Sequence, residues 1–304
     1  MIDRLVDAIN AKKNPSVVGL DPTIEMMPGF LKEEYFSEYG STPRAVGKMY
    51  LEFNKNIIDA VAPIVPAVKP QIAMYERYGV EGLMSYDETC RYAASKGLLV
   101  IGDIKRGDIS STAAAYAAHI GGVEINGNAV DTWCEDAVTI NPYMGSDGIG
   151  PFLAHCLEQD KGIFVLVKTS NPSSVELQDL VLDDGRLVYE AAGRLVEKWG
   201  EDLLGSCGYS KVGAVVGATH KEQGTALRKM LAHTFFLVPG YGAQGAGAED
   251  VAGFFDQNGR GAIINSSRGI TVAYKKDERF TEEEYAAAAR EAAIRMRDDL
   301  RRIL

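Results

Sequence analysis

The chain has 304 residues, of which 46% are hydrophobic and 24% charged, and its formal net charge is −10. These totals are typical of a globular protein with a large core, and they allow one domain or two. An acidic chain without a basic stripe offers a poor surface to nucleic acid or an anionic membrane, so we expect neither as a partner. An anionic small ligand would need a local cationic pocket.

The four cysteines are widely spaced and include no Cys-x-x-Cys pair, which favours reduced thiols. Residues 1–14 lack the apolar stretch of a signal peptide and fit a short amphipathic helix. No apolar run reaches the length of a membrane span. We therefore expect a cytoplasmic location.

Short apolar segments alternate with longer helical patterns along the chain. The apolar segments lack a period of two, which is typical of parallel strands that are buried on both faces. The predicted strands are residues 17–20, 67–68, 98–101, 137–140, 163–167, 212–216, 235–238 and 262–264. Helical patterns cover residues 43–61, 79–96, 110–120, 149–159, 187–202, 221–232, a short stretch from about 249, and 282–302. Residues 171–186 are predicted to be a long polar connection.

Eight strand–helix units in a chain of this length predict an α/β fold, a (β/α)8 TIM barrel. No linker interrupts the pattern, so residues 1–304 are expected to form a single domain with a helix at each end. Polar residues follow the predicted strands, and in such a barrel these positions meet at one mouth, where catalytic groups lie. They are Asp21, Lys69, Asp103, Lys105, Asn141, Ser170, Thr219, Gln244 and Arg268.

The third strand carries the most informative motif. Its apolar run, residues 98–101, ends in Asp103, Lys105 and Asp108. Asp103 and Lys105 are two residues apart, so on a regular strand they point to the same side. Gly107 allows a turn, and residues 108–111 offer capping side chains for the next helix. We expect Lys105 to lie between two carboxylates as an ammonium group that can donate a proton at a fixed place. The alternative is a solvated surface ion cluster, which seldom follows a buried strand so directly.

The motif Asp103-x-Lys105-x-x-Asp108-Ile109, with Asp21 after the first strand and Lys69 after the second, resembles that of the orotidine 5'-phosphate decarboxylase family. Residues 238–245 resemble the seventh loop of that family, and residues 266–270 its eighth. The resemblance extends over residues 17–270. The chain length and the 171–186 segment are similar to the longer bacterial branch of the family.

The resemblance implies a cofactor-independent carboxy-lyase of pyrimidine biosynthesis, without a metal. It would convert orotidine 5'-monophosphate to uridine 5'-monophosphate and CO2. Lys105 matches the family lysine that stabilises and then protonates a carbanion at C6 of the pyrimidine. Lys69, Asp103 and Asp108 match its partners in an alternating charge array.

The resemblance also assigns substrate-binding and subunit roles. Asp21 and Lys69 would hold the ribose hydroxyls, and Ser170 would contact the pyrimidine edge. The residues that match the phosphate site are Gln244, Gly242, Arg268 and Gly269. The family places the residues that match Asp108, Ile109 and Thr112 beside the neighbouring subunit's site, which implies a homodimer with shared active sites.

Three other functions remain open. A metal-dependent sugar-phosphate lyase or synthase of the same superfamily shares the motif, but it would need an acidic residue where this chain has Lys69. An inert nucleotide-phosphate sensor would have no use for Lys105 among acids. A Schiff-base aldolase would need a lysine in an apolar pocket. The four histidines lack metal-ligand spacing.

Overall fold

Eight parallel strands close into a barrel in the computed structural model, which describes residues 1–242 and 245–304. In chain order the strands are β1 (Ser16–Leu20), β2 (Ala67–Pro70), β3 (Leu99–Arg106), β4 (Val123–Ile125), β5 (Asn128–Val130), β6 (Ala137–Ile140), β7 (Gly162–Lys168), β8 (Val212–Val216), β9 (Phe236–Pro239) and β10 (Ala262–Ser266). The barrel order is β1-β10-β9-β8-β7-β6-β3-β2, and β4 and β5 form a separate antiparallel hairpin. The predicted (β/α)8 TIM barrel is confirmed.

Successive residues of each barrel strand face two different apolar clusters, which explains the continuous apolar runs. Val17 packs inside the barrel with Phe164 and Ile263, whereas Val18 packs between the strands and the outer helices. The first helix contributes Leu5 to the inner cluster, so it closes one end of the barrel. The inner side chains therefore form a packed core, and only the opposite end is left for a site.

Helices surround the barrel and connect its strands. The helix of residues 43–61 begins where its pattern predicts. The Thr42 side chain accepts a hydrogen bond from Ala45 N at 3.2 Å, and Pro43 occupies the first turn. The helices are α1 (Ile2–Lys12), α2 (Gly29–Tyr39), α3 (Pro43–Val61), α4 (Ala73–Glu76), α5 (Gly79–Ser95), α6 (Ser110–Gly121), α7 (Ser146–Glu158), α8 (Val175–Gln178), α9 (Val188–Trp199), α10 (Lys221–Met230), α11 (Ala248–Val251), α12 (Arg268–Thr271) and α13 (Tyr285–Arg301). In the described part of the chain, no helix is both long and apolar enough to cross a bilayer.

Helix α2 and the β4–β5 hairpin were not predicted, nor were the short helices α4 and α12, and a predicted connection differs. Helix α2 starts at Gly29, whose N–H is bonded to Glu282 at 2.5 Å, so a residue distant in the chain fixes its beginning. The β4–β5 hairpin buries no apolar face, and its turn, Asn126-Gly127, takes positive φ at both residues. Residues 171–186 contain α8 and exposed apolar side chains, so the prediction of a polar connection is wrong there.

Candidate active site

A cavity of about 730 Å³ opens at the carboxyl ends of the barrel strands. Most of the lining residues lie in the last part of a barrel strand or in the loop after it, so the barrel itself brings together side chains that are far apart in sequence. Among the predicted site residues, the structure places these along the cavity: Asp21, Lys69, Asp103, Lys105, Ser170 and Arg268.

Asp103 is the centre of the charged part of the cavity. Its side chain is 8% exposed, and Oδ2 accepts a hydrogen bond from Lys69 Nζ at 2.6 Å. Oδ1 accepts hydrogen bonds from Lys105 Nζ and from Thr139 Oγ1, the latter at 3.0 Å. Lys69 Nζ also lies 3.9 Å from Asp21 Oδ1. One buried carboxylate is therefore shared by two ammonium groups.

The charges of this cluster support one another. Burial alone would raise the pKa of Asp103, but Lys69 and Lys105 outweigh it, and the pKa lies well below its ordinary value. Burial alone would lower the pKa of Lys69, but Asp103 and Asp21 raise it above the ordinary value. Both groups are therefore charged across the neutral pH range.

Lys105 reaches Asp103 through an irregularity in β3. The pairing of β3 with β6 shifts register between Gly102 and Arg106, and Lys105 has a φ of 45°. Its backbone N–H donates to Thr139 Oγ1 at 3.0 Å. A positive φ is uncommon for a residue with a side chain and concentrates at functional sites. The predicted contact is present, on a stretch of β3 that departs from regular strand pairing.

Asp108 lies outside this cluster. Of the carboxylates that the structure describes, Asp103 alone is within 4.0 Å of Lys105 Nζ, so the expectation of a lysine between two acids is wrong for the single chain. Asp108 follows the turn at Gly107 and does not line the cavity. Its Oδ1 accepts a hydrogen bond from Ile109 N at 2.8 Å. Helix α6 has no side-chain cap, so the predicted capping is also wrong. Ile109 is 46% exposed, and Thr112 is exposed beside it.

The predicted phosphate site lies at the ends of β9 and β10. Arg268 is exposed and lines the cavity. Gly242 has a φ of 75°, a conformation that glycine adopts without strain. A Cβ at Gly269 would lie 2.7 Å from Ser266 Oγ, and one at Gly242 3.8 Å from the same atom, so both glycines lie close to the end of β10. Gln244 lies outside the described residues.

Two further residues of the site were not predicted. Thr139, near the end of β6, contacts Lys105 and Asp103, and Asn265, in β10, lines the cavity. Asn265 is 5% exposed, and its Oδ1 has no hydrogen-bond partner among residues 1–242 and 245–304. A polar residue within an otherwise apolar strand was the available signal for Asn265. Apolar residues complete the wall: Leu166, Val215 and Pro239.

Two of the polar residues expected at the mouth lie beside the cavity instead. Asn141 lines a neighbouring apolar groove. Thr219 Oγ1 donates a hydrogen bond to Ser170 O at 3.4 Å, so Thr219 contacts the backbone of a residue that lines the cavity. In the described ranges, no three His, Cys, Asp or Glu side chains are grouped so that they could hold a metal ion.

Comparisons with known proteins identify the family. Residues 17–282 match the model of the orotidine 5'-phosphate decarboxylase / HUMPS family. The orotidine 5'-phosphate decarboxylase of Clostridium tetani is 44% identical over 302 residues, which cover 99% of this chain and 97% of the relative. That of Rhodopirellula baltica is 44% identical over 288 residues, 93% of either chain. The structure of Leishmania donovani OMP decarboxylase is similar with a TM-score of 0.73 and 30% identity, covering 98% of each chain. The chain therefore belongs to the orotidine 5'-phosphate decarboxylase family and is a carboxy-lyase of pyrimidine biosynthesis.

Proposed function

We propose that the cavity converts orotidine 5'-monophosphate to uridine 5'-monophosphate and CO2, with Lys105 as the proton donor. The observation that carries this proposal is the buried Asp103 carboxylate between the ammonium groups of Lys69 and Lys105. The 44% identity to a decarboxylase over nearly the whole chain supports the same substrate.

The chemistry requires positive charge and a proton at one place. When the bond between C6 and the carboxyl carbon breaks, its electron pair stays on C6 and CO2 leaves. In the proposed mechanism, the Lys105 ammonium stabilises that negative charge and then donates its proton to C6. Water then returns a proton to the amine. Asp103 and Thr139 hold Lys105 in place, so little reorganisation accompanies the reaction.

The remaining polar groups suit a nucleotide. Asp21 accepts and Lys69 donates hydrogen bonds, so together they can hold the ribose hydroxyls. Ser170 lines the cavity and would contact the pyrimidine edge. At the other end of the cavity, the Arg268 guanidinium offers a fork that matches phosphate oxygens. Backbone N–H groups at Gly242 and Gly269, and the side chain of Gln244, complete the proposed phosphate site.

The decisive experiment follows the absorbance of orotidine 5'-monophosphate with EDTA-treated protein. We expect full turnover without added metal, because the ammonium of Lys105 supplies the positive charge. Turnover that depends on added magnesium would favour the metal-dependent lyase instead. The absence of turnover would reject the proposed function.

Lys105→Ala tests the role of the amine. This variant should lose decarboxylation while it still binds uridine 5'-monophosphate, because the ribose and phosphate contacts remain. Calorimetric titration with uridine 5'-monophosphate provides the control for an intact site. Decarboxylation comparable to that of the wild type would remove Lys105 from the mechanism.

We also propose that the protein is a homodimer in which each subunit completes the other's site. Asp108, Ile109 and Thr112 lie at the rim, outside their own cavity. Apolar side chains are exposed nearby, and Tyr143 is 78% exposed. Met144 is 48% exposed. It lies near Asp108, since a Cβ at Gly148 would be 3.2 Å from Met144 Cβ and 2.9 Å from Asp108 O. This apolar rim supports burial against a second copy.

A further inference from the structure

The segment of residues 171–186 is fastened to the end of β7, immediately beside the cavity. It contains the short helix α8 and leads into α9. A loop of this length without a role is uncommon in a compact domain. Its contacts with β7 show what it supports.

The first attachment is a buried ion pair. Lys168 ends β7 and its side chain is 0% exposed. Its ammonium donates to Asp179 Oδ1 at 2.6 Å and to Ser174 Oγ at 3.3 Å. It also lies 5.5 Å from the centre of the Tyr189 ring. A charge that is buried and paired in this way fixes the segment to the strand.

The second attachment is the carboxamide of Gln178. Oε1 accepts from the backbone N–H of Thr169 at 2.9 Å, and Nε2 donates to Thr169 Oγ1 at 2.7 Å. Thr169 Oγ1 in turn donates to Asn171 Oδ1 at 2.6 Å. Gln178, Thr169 and Ser170 all line the cavity. The residue directly before Ser170 is therefore held at both its backbone and its side chain.

The neighbouring strand holds Thr169 and Ser170 from the other side. A Cβ at Gly217 would lie 2.8 Å from the backbone N and Cα of Ser170. His220 Nε2 lies 2.9 Å from Thr169 O. The two residues are thus enclosed between the β8 loop and Gln178. Without Gln178, one side of this enclosure is missing.

We propose that Gln178 is a positioning residue for pyrimidine recognition, acting through Thr169 on Ser170. The inference rests on the proposed function, which places the pyrimidine against Ser170. The inference gives the 171–186 segment a role, which is to hold Thr169 and Ser170 where the pyrimidine would bind. The ribose and phosphate contacts lie on other strands and do not depend on Gln178.

Gln178→Ala tests this inference with two ligands. Uridine 5'-monophosphate carries the base, whereas ribose 5-phosphate lacks it. We expect calorimetry to show about tenfold weaker binding of uridine 5'-monophosphate, because the hydrogen bonds that orient Thr169 are lost. Binding of ribose 5-phosphate should stay within about twofold of the wild type, since it makes no base contact. Gln178→Glu keeps an acceptor for Thr169 N and should recover most of the affinity.

Two controls separate positioning from general damage. Glu176→Ala alters an exposed residue of the same short helix and should leave both affinities unchanged. In a Ser170→Ala background, Gln178→Ala should have little further effect, because both changes act on one contact. Equal losses for both ligands, additive losses with Ser170→Ala, or unchanged binding of uridine 5'-monophosphate would each overturn the inference. A wild type that binds but does not decarboxylate orotidine 5'-monophosphate would overturn the proposed function instead.

Discussion

At the residue scale, Thr139 connects the two halves of the charged motif. Its hydroxyl accepts from Lys105 N and donates to Asp103 Oδ1, each at 3.0 Å. Thr139→Val keeps the shape but removes both hydrogen bonds, so kcat/KM should fall about tenfold. Thr139→Ser keeps the hydroxyl and should retain most of the activity. A loss of activity in steady-state assays that is confined to Thr139→Ser would show that the methyl packing matters rather than the hydroxyl.

The ion pair between Asp103 and Lys69 should make the free energy of unfolding depend on pH. Asp103→Asn leaves the buried ammonium of Lys69 without its hydrogen-bonded carboxylate and with only Asp21, 3.9 Å away, so the free energy of unfolding at neutral pH should fall by about 3 kcal/mol. Because the folded pKa of Asp103 is depressed, its contribution is complete above the ordinary value of 3.8 and is lost as the pH falls below it. Because the folded pKa of Lys69 is raised, its contribution is complete below 10.5 and is lost above it.

Urea unfolding over a pH series measures this contribution. The difference between the wild type and Asp103→Asn should be constant from about pH 5 to 9 and should shrink in acid, where only the wild type loses the stabilisation. A difference that is unchanged at pH 3 would mean that the ion pair is not its source.

Residues that directly follow a strand were predictable, because the barrel brings the carboxyl ends of its strands together. Asp21 and Ser170 are examples. Thr139 was not predictable in the same way, since a threonine within an apolar strand is an ordinary β-branched residue. Gln178 lies in a connection whose position depends on the buried ion pair of Lys168, and no periodic pattern reports such a contact.

At the element scale, β7 and β8 approach so closely that only glycine fits at one position. A Cβ at Gly217 would lie 2.8 Å from backbone atoms of Ser170, which cannot move cheaply. Gly217→Ala should therefore displace the β7 end and reduce kcat/KM by at least about tenfold. Gly150 lies exposed within α7, and a Cβ there would meet no described atom within 4 Å beyond its chain neighbours and its own helix backbone. Gly150→Ala should therefore leave activity unchanged.

Kinetic and thermal-unfolding measurements on the two alanine variants give a matched comparison. The chemical change is the same, and only the space around the new methyl group differs. Normal activity in Gly217→Ala would show that the strand ends adjust without affecting the cavity.

Elements were predictable where burial imposes one repeating pattern. The barrel strands are buried on both faces, so their apolar runs identify them. The bulge in β3 has no such signal, because it depends on how Lys105 pairs with Thr139 across the sheet. The β4–β5 hairpin lies on the surface and buries no apolar side chain, so only the Asn126-Gly127 pair indicated it.

At the scale of the whole molecule, both ends of the chain belong to the barrel. Helix α1 closes one end, and α13 packs against α3 and β1. These contacts support the inference that residues 1–304 form a single domain. The active-site end is different, because its rim exposes Ile109 and Tyr143. A second copy that covers this rim would bring its own Asp108 to the neighbouring cavity.

Mixed dimers test that arrangement. Lys105→Ala and Asp108→Ala subunits should each be inactive as pure dimers. If the sites are shared, a mixed dimer contains one site with both residues intact, so random mixing should restore about one quarter of wild-type activity. Lys105→Ala mixed with Asp103→Ala is the matched control, and it should stay inactive because Lys105 and Asp103 act within one subunit. Affinity tags on the two chains verify that mixed dimers form. If verified dimers of Lys105→Ala with Asp108→Ala remain inactive, Asp108 does not act across the interface. This mixture differs from its control only in carrying the Asp108 substitution in place of the Asp103 substitution.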